Sequence, residues 1–412
     1  MRQYDVIIAG GGAAGLFCAL RLADLGAGKV LLLERNERLG KKLSATGNGQ
    51  GNVTNVHMGA EHYFSRAGAP QLAAVLGKFD EKNLAEYFQS LGGCLVADER
   101  GRMYPASRQA SSVTDLFRFA LENGGTEVRL GEGVLEARRS GAGFAVRTAQ
   151  GTYAARALVL ACGGKASPHF GSDGSGYALA GAFGHTVTPL SPAIVRLKTD
   201  REAIRGLKGI RCDCNVVLVR PDGRGGKKAV LSDASARGDV LFTESGLSGD
   251  AIFRLSSFVK EGDELAVNFL PDIGADALVP LLSAKAARYP RMRAEDLLRG
   301  VVHSAVGRAA LRRCNIPPDE CAEKISAKLA PLAHTLTWYS LPVAGTDGFA
   351  NAQVTRGGVP LAEVGGDLMS KKAEGLFLIG ELLDVDGECG GYNLQWAFSS
   401  AAAVAEGIGK WL

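Results

Sequence analysis

No stretch of this 412-residue chain approaches the roughly 18 consecutive apolar residues of a membrane span; the longest runs, such as residues 157–162, have the length of a buried strand. A strong charge of one sign is lacking too. Forty-seven Lys and Arg face 43 Asp and Glu, a formal +4, which makes no electrostatic case for a nucleic-acid or anionic-membrane partner. The eight cysteines are dispersed, with Cys212 and Cys214 the one close pair, and neither they nor the six histidines show metal-ligand spacing. No metal is expected. The first apolar strand starts at Val6, so no signal or transit sequence is expected. A cytoplasmic protein with reduced thiols is the expectation.

Glycine is abundant, at 55 residues, and the first forty positions show one use for it. Val6-Ile7-Ile8-Ala9 reads as a buried strand. Gly10-Gly11-Gly12-Ala13-Ala14-Gly15 is a G-x-G-x-x-G, followed at helical spacing by Leu16, Ala19, Leu20 and Ala23. Val30-Leu31-Leu32-Leu33 is a second strand, closed by Glu34 and Arg35. Gly10 permits the tight turn, Gly12 lets backbone approach a pyrophosphate, and Gly15 lets helix and strand pack closely. The helix N-terminus at Ala13 and Ala14 offers N–H groups to phosphate. Glu34 falls about 20 residues past the last glycine, where an acid accepts hydrogen bonds from a ribose. A dinucleotide site is expected because the whole strand–turn–helix–strand–acid context is present.

Two distant segments look like further cofactor surface. Residues 157–164 form a buried strand that ends in Ala161, Gly163 and Gly164, before the loop Gly171-Ser172-Asp173-Gly174. Residues 375–381 form another, ending in Gly380-Glu381, with a polar loop through Asp386 into Gly391-Tyr392-Asn393-Leu394-Gln395 and a small-residue helix. The basic, glycine-rich stretch of residues 36–55, with Lys41, Lys42, Thr46, Gly47 and Asn48, is expected to close over the phosphates. Residues 70–92 read as helical, and three runs within 134–157 as a small antiparallel meander.

Composition shifts near Thr188 to prolines and β-rich runs, with a hairpin tip at residues 221–226 beside a solvated Lys227 and Lys228. Helical periods follow. The expected fold class is α/β: a Rossmann-like, glutathione-reductase-type FAD-binding domain (residues 1–188 and 346–412) with an inserted β-barrel (189–275 and 331–345) and a small helical domain (276–330).

A ligand touching all three glycine-rich segments must be extended, and FAD fits. Its pyrophosphate and adenosine would use Gly10 to Gly15 and Glu34, its ribityl chain Gly380, Glu381 and Asp386, and its ring the turn at residues 390–391. The last helix would aim its N-terminus at the charge that reduction places on the ring, worth ~0.3–1 kcal/mol. No second strand–G-x-G-x-x-G–helix exists, so a reducing nicotinamide would dock only transiently.

These stretches resemble the BaiN/YhiN-type (HI0933-like) family of FAD-dependent oxidoreductases. The matching motifs are Gly40-Lys41-Lys42-Leu43 with Thr46-Gly47-Asn48-Gly49, Gly163-Gly164 with Gly171-Ser172-Asp173-Gly174, Gly246-Leu247-Ser248-Gly249, Ala352-Gln353-Val354-Thr355-Arg356-Gly357-Gly358-Val359 and the run from Gly380 to Trp396. The resemblance implies FAD contacts at Glu34, Lys42, Thr46, Gly47, Asn48, Val134 and Asn393. The chain departs from it at Gln50-Gly51-Asn52, where the family often has Arg-Cys-Asn, at Glu244 in place of a histidine and at Asp250 in place of a proline.

The expected function is an FAD-dependent oxidoreductase, reduced by NAD(P)H and reducing a small organic substrate. The family implies an activated C=C of a ring compound, such as a dehydro bile acid. The alternative is a flavin amine oxidase that yields a carbonyl and hydrogen peroxide; the non-enzyme alternative is a flavin-bearing sensor or RNA-associated protein. No nucleic-acid or membrane partner is expected. Pro192, residues 245–250 and residues 355–358 are expected to wall the substrate. Tyr104, Tyr392 and Arg356 are possible substrate-side groups. Cys389 reads as a small buried thiol, His169 and His185 as structural, Glu244 and Glu388 as surface acids, and Cys212 with Cys214 as core filling. No residue is assigned as catalytic.

Overall fold

The computed structural model describes residues 2–66, 69–221, 227–229 and 235–412. The chain divides into two units: Met1–Pro192 with Ala352–Leu412, and Ala193–Asn351.

The first unit is built on a seven-stranded sheet of β1 (Arg2–Ala9), β2 (Val30–Leu33), β3 (Glu127–Arg129), β4 (Glu136–Ser140), β5 (Gly143–Arg147), β6 (Thr152–Leu160) and β7 (Leu376–Leu378). The order β3-β2-β1-β6 is parallel, with Val6 opposite both Val30 and Ala157. The meander strand and the buried strand expected between residues 152 and 162 are one strand. The first half of β6 pairs antiparallel with β5 (Thr152 opposite Arg147), and its second half pairs parallel with β7 (Leu158 opposite Leu376). Burial explains the mixed sequence signal, because residues 152–156 alternate in exposure whereas residues 157–160 are buried without a break. A strand covered on one face and then on both changes its apolar period midway.

Among the described residues, six helices belong to this unit: α1 (Ala13–Asp24), α2 (Ala69–Lys78), α3 (Glu81–Ser90), α4 (Ala110–Asn123), α5 (Ser175–Ala182) and α6 (Tyr392–Trp411). The helical stretch read over residues 70–92 is two helices. Asp80 starts the second by accepting the Lys82 and Asn83 N–H groups at 2.9 Å, while the Asn83 side chain accepts the Asp80 N–H at 3.1 Å, a capping box. Phe17 of α1 is the hub of the core, with Phe398 of α6 at 5.0 Å, Phe79 at 5.4 Å and Phe117 of α4 at 5.7 Å. Such aromatic pairs add about 0.5–1.5 kcal/mol each beyond their buried area, and they fix α1 and α6 side by side.

The second unit holds an eight-stranded antiparallel sheet in the order Tyr339–Pro342, Glu264–Asn268, Arg211–Pro221, Ser235–Phe242, Gly246–Ser248, Leu197–Lys198, Gly345–Thr346, with Lys227–Ala229 beside Arg211–Pro221. The two end strands are separated only by Val343 and Ala344, so the chain brings the sheet's outer edges together. Helices Ala275–Arg288, Ser304–Arg313 and Leu329–Thr337 share one apolar core with these strands, through Leu282, Leu311 and Leu336 against Val216, Phe242 and Val267. Of the expected hairpin tip, residues 222–226 lie outside the described residues. Lys227 and Lys228, read as a turn, belong to a strand.

Among the described residues no helix is long and apolar enough to cross a membrane, and no group of three potential metal ligands occurs. All eight cysteines are free thiols.

Candidate functional site

The chain leaves β1 for β2 on one side, and β6 lies on the other, so the C-terminal ends of β1 and β6 flank a topological switch point, where open α/β sheets bind ligands. Gly10 turns there with φ +108°, and a Cβ on it would come 2.5 Å from the Ala161 carbonyl oxygen. A Cβ on Gly15 would collide with the Gly10 carbonyl. Gly12 differs: a Cβ there would meet no protein atom within 4 Å. Gly12 also caps α1, and no side chain caps that end. Two glycines are thus demanded by packing, and the third faces open space at a helix N-terminus. That is the cradle a pyrophosphate needs.

Glu34 is buried at the end of β2. Its Oε2 accepts the Gly11 N–H at 2.6 Å, and its Oε1 accepts the Asn36 backbone and side-chain N–H groups, each at 2.7 Å. Residues 131–134 run alongside, since the Glu132 N–H reaches the Glu34 carbonyl at 2.8 Å and the Gly131 N–H the Asn36 carbonyl at 2.9 Å. Val134, half-buried, follows directly in the same segment. Arg35 is engaged by protein: Asp173 at 2.5 Å and Ser175 Oγ at 2.6 Å. Burial pushes the Asp173 carboxyl up, but Ser175 and Arg35 outweigh it and hold it at about 2.

The middle of the site joins residues hundreds of positions apart. Gly380, at φ +67°, packs against Ala14 at the start of α1, where a Cβ would lie 2.9 Å from the alanine methyl. It is tied to α6 by Ser400 Oγ at 3.0 Å and Trp396 Nε1 at 3.1 Å. Glu381 pairs with Lys42 at 2.9 Å and accepts the Thr355 N–H at 2.8 Å. Thr355 Oγ1 accepts the Lys165 and Ala166 N–H groups at 2.7 and 2.9 Å, which fixes the loop after Gly163 and Gly164. Buried Ala161 extends β6 through its N–H to the Ala9 carbonyl at 2.9 Å. Burial raises the neighbouring Cys162 thiol to about 12, so it is no nucleophile at neutral pH.

At the far end, Asp386 lies buried against Arg356, and burial lifts its carboxyl to about 6 in spite of that partner. Asp384 is also buried and raised by burial; its Oδ2 has no hydrogen-bond partner among the described residues. Gly391, at φ +101°, is pressed against the Thr54 backbone. Tyr392 stacks on His62 at 4.6 Å, and its carbonyl accepts the Tyr63 hydroxyl at 2.8 Å. Thr46 leads into Gly47 and Asn48, both left-handed (φ 58° and 54°) and exposed.

Two of the expected contact residues have side chains engaged by protein. The Asn393 side chain is clamped to Gly387, accepting its N–H at 2.8 Å and donating to its carbonyl at 2.7 Å. Gln395 is fully buried and donates to the Phe79 carbonyl and to Ser399. Both side chains serve the protein, and Leu394 packs half-buried on the core. Which residues at the start of this helix face the core depends on α6 packing, which the sequence does not display. Arg356 likewise turns to Asp386. His185, read as a lone structural histidine, has two partners: Glu363 at 2.8 Å and Ser370 at 2.7 Å. Glu388 meets His62 at 3.3 Å, and Glu244 forms an exposed pair with Lys208 at 2.9 Å. Asn55, which donates to the Gly390 carbonyl at 3.0 Å, and Asp384 were missed. A second acid two residues before Asp386 was the one available signal.

Comparison with known proteins adds four findings. Residues 4–407 match the family model described as HI0933-like protein Rossmann domain. The chain is 36% identical over 403 residues to the 3-dehydro-bile acid delta(4,6)-reductase of Clostridium scindens, covering 95% of this chain and 96% of that protein. It is 30% identical over 417 residues to the ribosomal RNA dihydrouridine synthase of Escherichia coli, covering 99% and 98%. Among solved structures, the 3-ketosteroid delta1-dehydrogenase of Sterolibacterium denitrificans aligns over 100% of both chains with TM-score 0.53 at 14% identity, a likeness of fold alone.

Proposed function

The chain belongs to the HI0933-like family, and from that premise we propose that it is an FAD-dependent oxidoreductase that reduces a ring C=C conjugated to a carbonyl, with NAD(P)H as the transient reductant. The observation that carries the cofactor is Gly12, where the backbone at a helix start is left open between two glycines that packing demands. FAD, when bound, would supply the hydride chemistry.

The chain's own residues do the rest. The first turn of α1 binds phosphate, and Glu34, fixed by Gly11 and Asn36, orients a ribose. Lys42, neutralised by Glu381, joins the Gly-Asn-Gly loop to the Gly380 turn. Gly390 and Gly391 keep the start of α6 free of side chains where the ring end would lie.

The substrate class rests on chemistry that the relatives' names share. A 3-dehydro-bile acid delta(4,6)-reductase acts on a ring alkene conjugated to a ketone, and a dihydrouridine synthase saturates a uracil alkene conjugated to a carbonyl. Both are conjugate reductions. The 36% identity favours a small polycyclic ketone; the 30% relative keeps a uridine in RNA as the second reading.

Anaerobic titration of the purified holoprotein tests this. NAD(P)H should bleach the flavin, and a 3-keto-Δ4 or Δ4,6 steroid should restore its colour under nitrogen. Bleaching by an amine alone, with hydrogen peroxide formed in air, would instead establish the oxidase. Restoration by uridine-containing ribosomal RNA but no steroid would move the substrate to the second reading.

A further inference from the structure

The proposed reduction needs a proton as well as a hydride. We propose that the Tyr104 hydroxyl donates that proton, at the end of the site formed by residues 52–55 and the loop before α6; this rests on the function proposed above.

Placement comes first. Tyr104 sits in strand Arg102–Pro105, paired with Thr54–Asn55 on one side and Leu95–Ala97 on the other. That strand is bound to the segment after the Gly47-Asn48-Gly49 turn: the Val53 N–H reaches the Met103 carbonyl at 2.9 Å, and Asn52 Nδ2 reaches it at 3.1 Å. Asn55 ties the same sheet to Gly390. Cys389, in that loop, interacts electrostatically with Tyr104. Tyr104 is therefore placed beside the Gly390-Gly391 turn, where the ring end of an extended ligand would lie.

Elimination comes second. Among the phenols here, Tyr63 donates to the Tyr392 carbonyl at 2.8 Å, Tyr392 to the His57 carbonyl at 3.4 Å, and Tyr177 lies 3.5 Å from the Glu381 carbonyl. Tyr104 is 6% exposed, yet its hydroxyl has no hydrogen-bond partner among the described residues. The oxygen is not among the buried unpartnered atoms, so the hydroxyl reaches accessible space, where a ligand could meet it.

Electrostatics comes third. The groups that face Tyr104 are Arg102, Asp98, Arg108 and Cys389. Burial raises the phenol, which keeps it protonated at neutral pH, and the Arg108 guanidinium 4.4 Å from the ring centre stabilises the phenolate left after donation. Arg102 stands at 6.0 Å, and its charge is shared with Asp98 at 2.7 Å. Arg108 is held in the left-handed region, at φ +54°, to reach over the ring. FAD, when bound and reduced, would supply the hydride to the alkene carbon β to the carbonyl. The Tyr104 O–H bond breaks as a C–H bond forms at the α carbon. Water returns the proton, and NAD(P)H restores the two electrons.

Tyr104→Phe keeps the ring under Arg108, so the variant should retain FAD and its melting temperature. Bleaching by NAD(P)H should stay within twofold of wild type, while recolouring by the unsaturated ketone should slow about 100-fold or more. On cofactor-free protein, an ultraviolet difference titration of wild type minus Tyr104→Phe should show one phenol ionising above the ordinary tyrosine range, and Arg108→Gln should move it higher still. Recolouring of Tyr104→Phe at the wild-type rate overturns the donor role and leaves the proposed function standing. Failure of wild type itself to recolour with any unsaturated ketone overturns both.

Discussion

Arg356 grips Asp386 on both carboxylate oxygens, with Nε at 3.1 and 3.2 Å and Nη2 at 3.0 Å from Oδ2, while its guanidinium lies 4.3 Å from the Phe64 ring centre. Asp386 in turn pairs with Phe64 in a two-residue antiparallel ladder. The ion pair thus cross-links three remote segments in a place where Asp386 is 2% exposed. Arg356→Gln should strand a buried carboxylate and lower stability by roughly 3–5 kcal/mol, read by urea denaturation at pH 7. Unchanged stability with loss of substrate affinity would mean that the arginine serves an anionic substrate.

The same burial gives the protein a pH signature. Asp386 keeps its proton up to about pH 6 when folded, against an ordinary value of 3.8. The folded state then binds more protons than the unfolded one across that window, so the contribution is full below about pH 4 and is lost as pH rises through 6. Glu363 runs the other way: burial opposes it, but Thr186, Lys372 and His185 hold it at about 2. Its contribution is present above about pH 4.5 and is lost as pH falls toward 2. Melting temperature across pH 2–8 should show both slopes. Asp386→Asn should flatten only the upper one and Glu363→Gln only the lower; one variant flattening both would refute the assignment.

What the sequence displayed were features set by neighbours along the chain. The strand of residues 6–9, the three glycines of the turn and Glu34 are local in this sense, since period, turn geometry and spacing follow from a few positions. The partners were not legible. Lys42 and Glu381 are 339 positions apart and meet at 2.9 Å. Asn393 and Gln395 follow the turn at helical spacing, yet the direction of each is decided by Gly387 and Phe79. The break at Asp80 was readable from its capping residues but was masked by apolar positions that stay in phase across it.

Ser370, His185 and Glu363 stand in the order of a hydrolytic triad, with 2.7 and 2.8 Å contacts. Ser370 Oγ also accepts the Lys372 and Ala373 N–H groups at 3.0 Å each, and it is buried. A hydroxyl that fastens a turn and cannot meet a substrate is no nucleophile. His185→Ala should therefore leave flavin content intact and cost about 2–4 kcal/mol, because it breaks a buried network and opens a cavity. Chemical denaturation with a parallel flavin absorbance ratio checks this. Covalent labelling of Ser370 by a phosphonate ester probe would refute the structural role.

Gly12 and Gly15 allow the cofactor site to be separated from the fold by two single methyl groups. At Gly15 the added carbon would strike the Gly10 carbonyl, so Gly15→Ala must spread α1 from β1. The expected result is aggregation or a melting temperature many degrees lower, with or without added flavin. At Gly12 the added carbon meets no protein atom, and the backbone, at φ −74°, suits alanine. Gly12→Ala should therefore melt as the cofactor-free wild type does, yet bind FAD at least about tenfold more weakly, a difference of ~1.4 kcal/mol. Fluorescence titration of both apoproteins with FAD measures this directly. If Gly12→Ala binds FAD as wild type does, the pyrophosphate does not approach the turn at that glycine, and the assignment of the adenosine end to Glu34 loses its anchor.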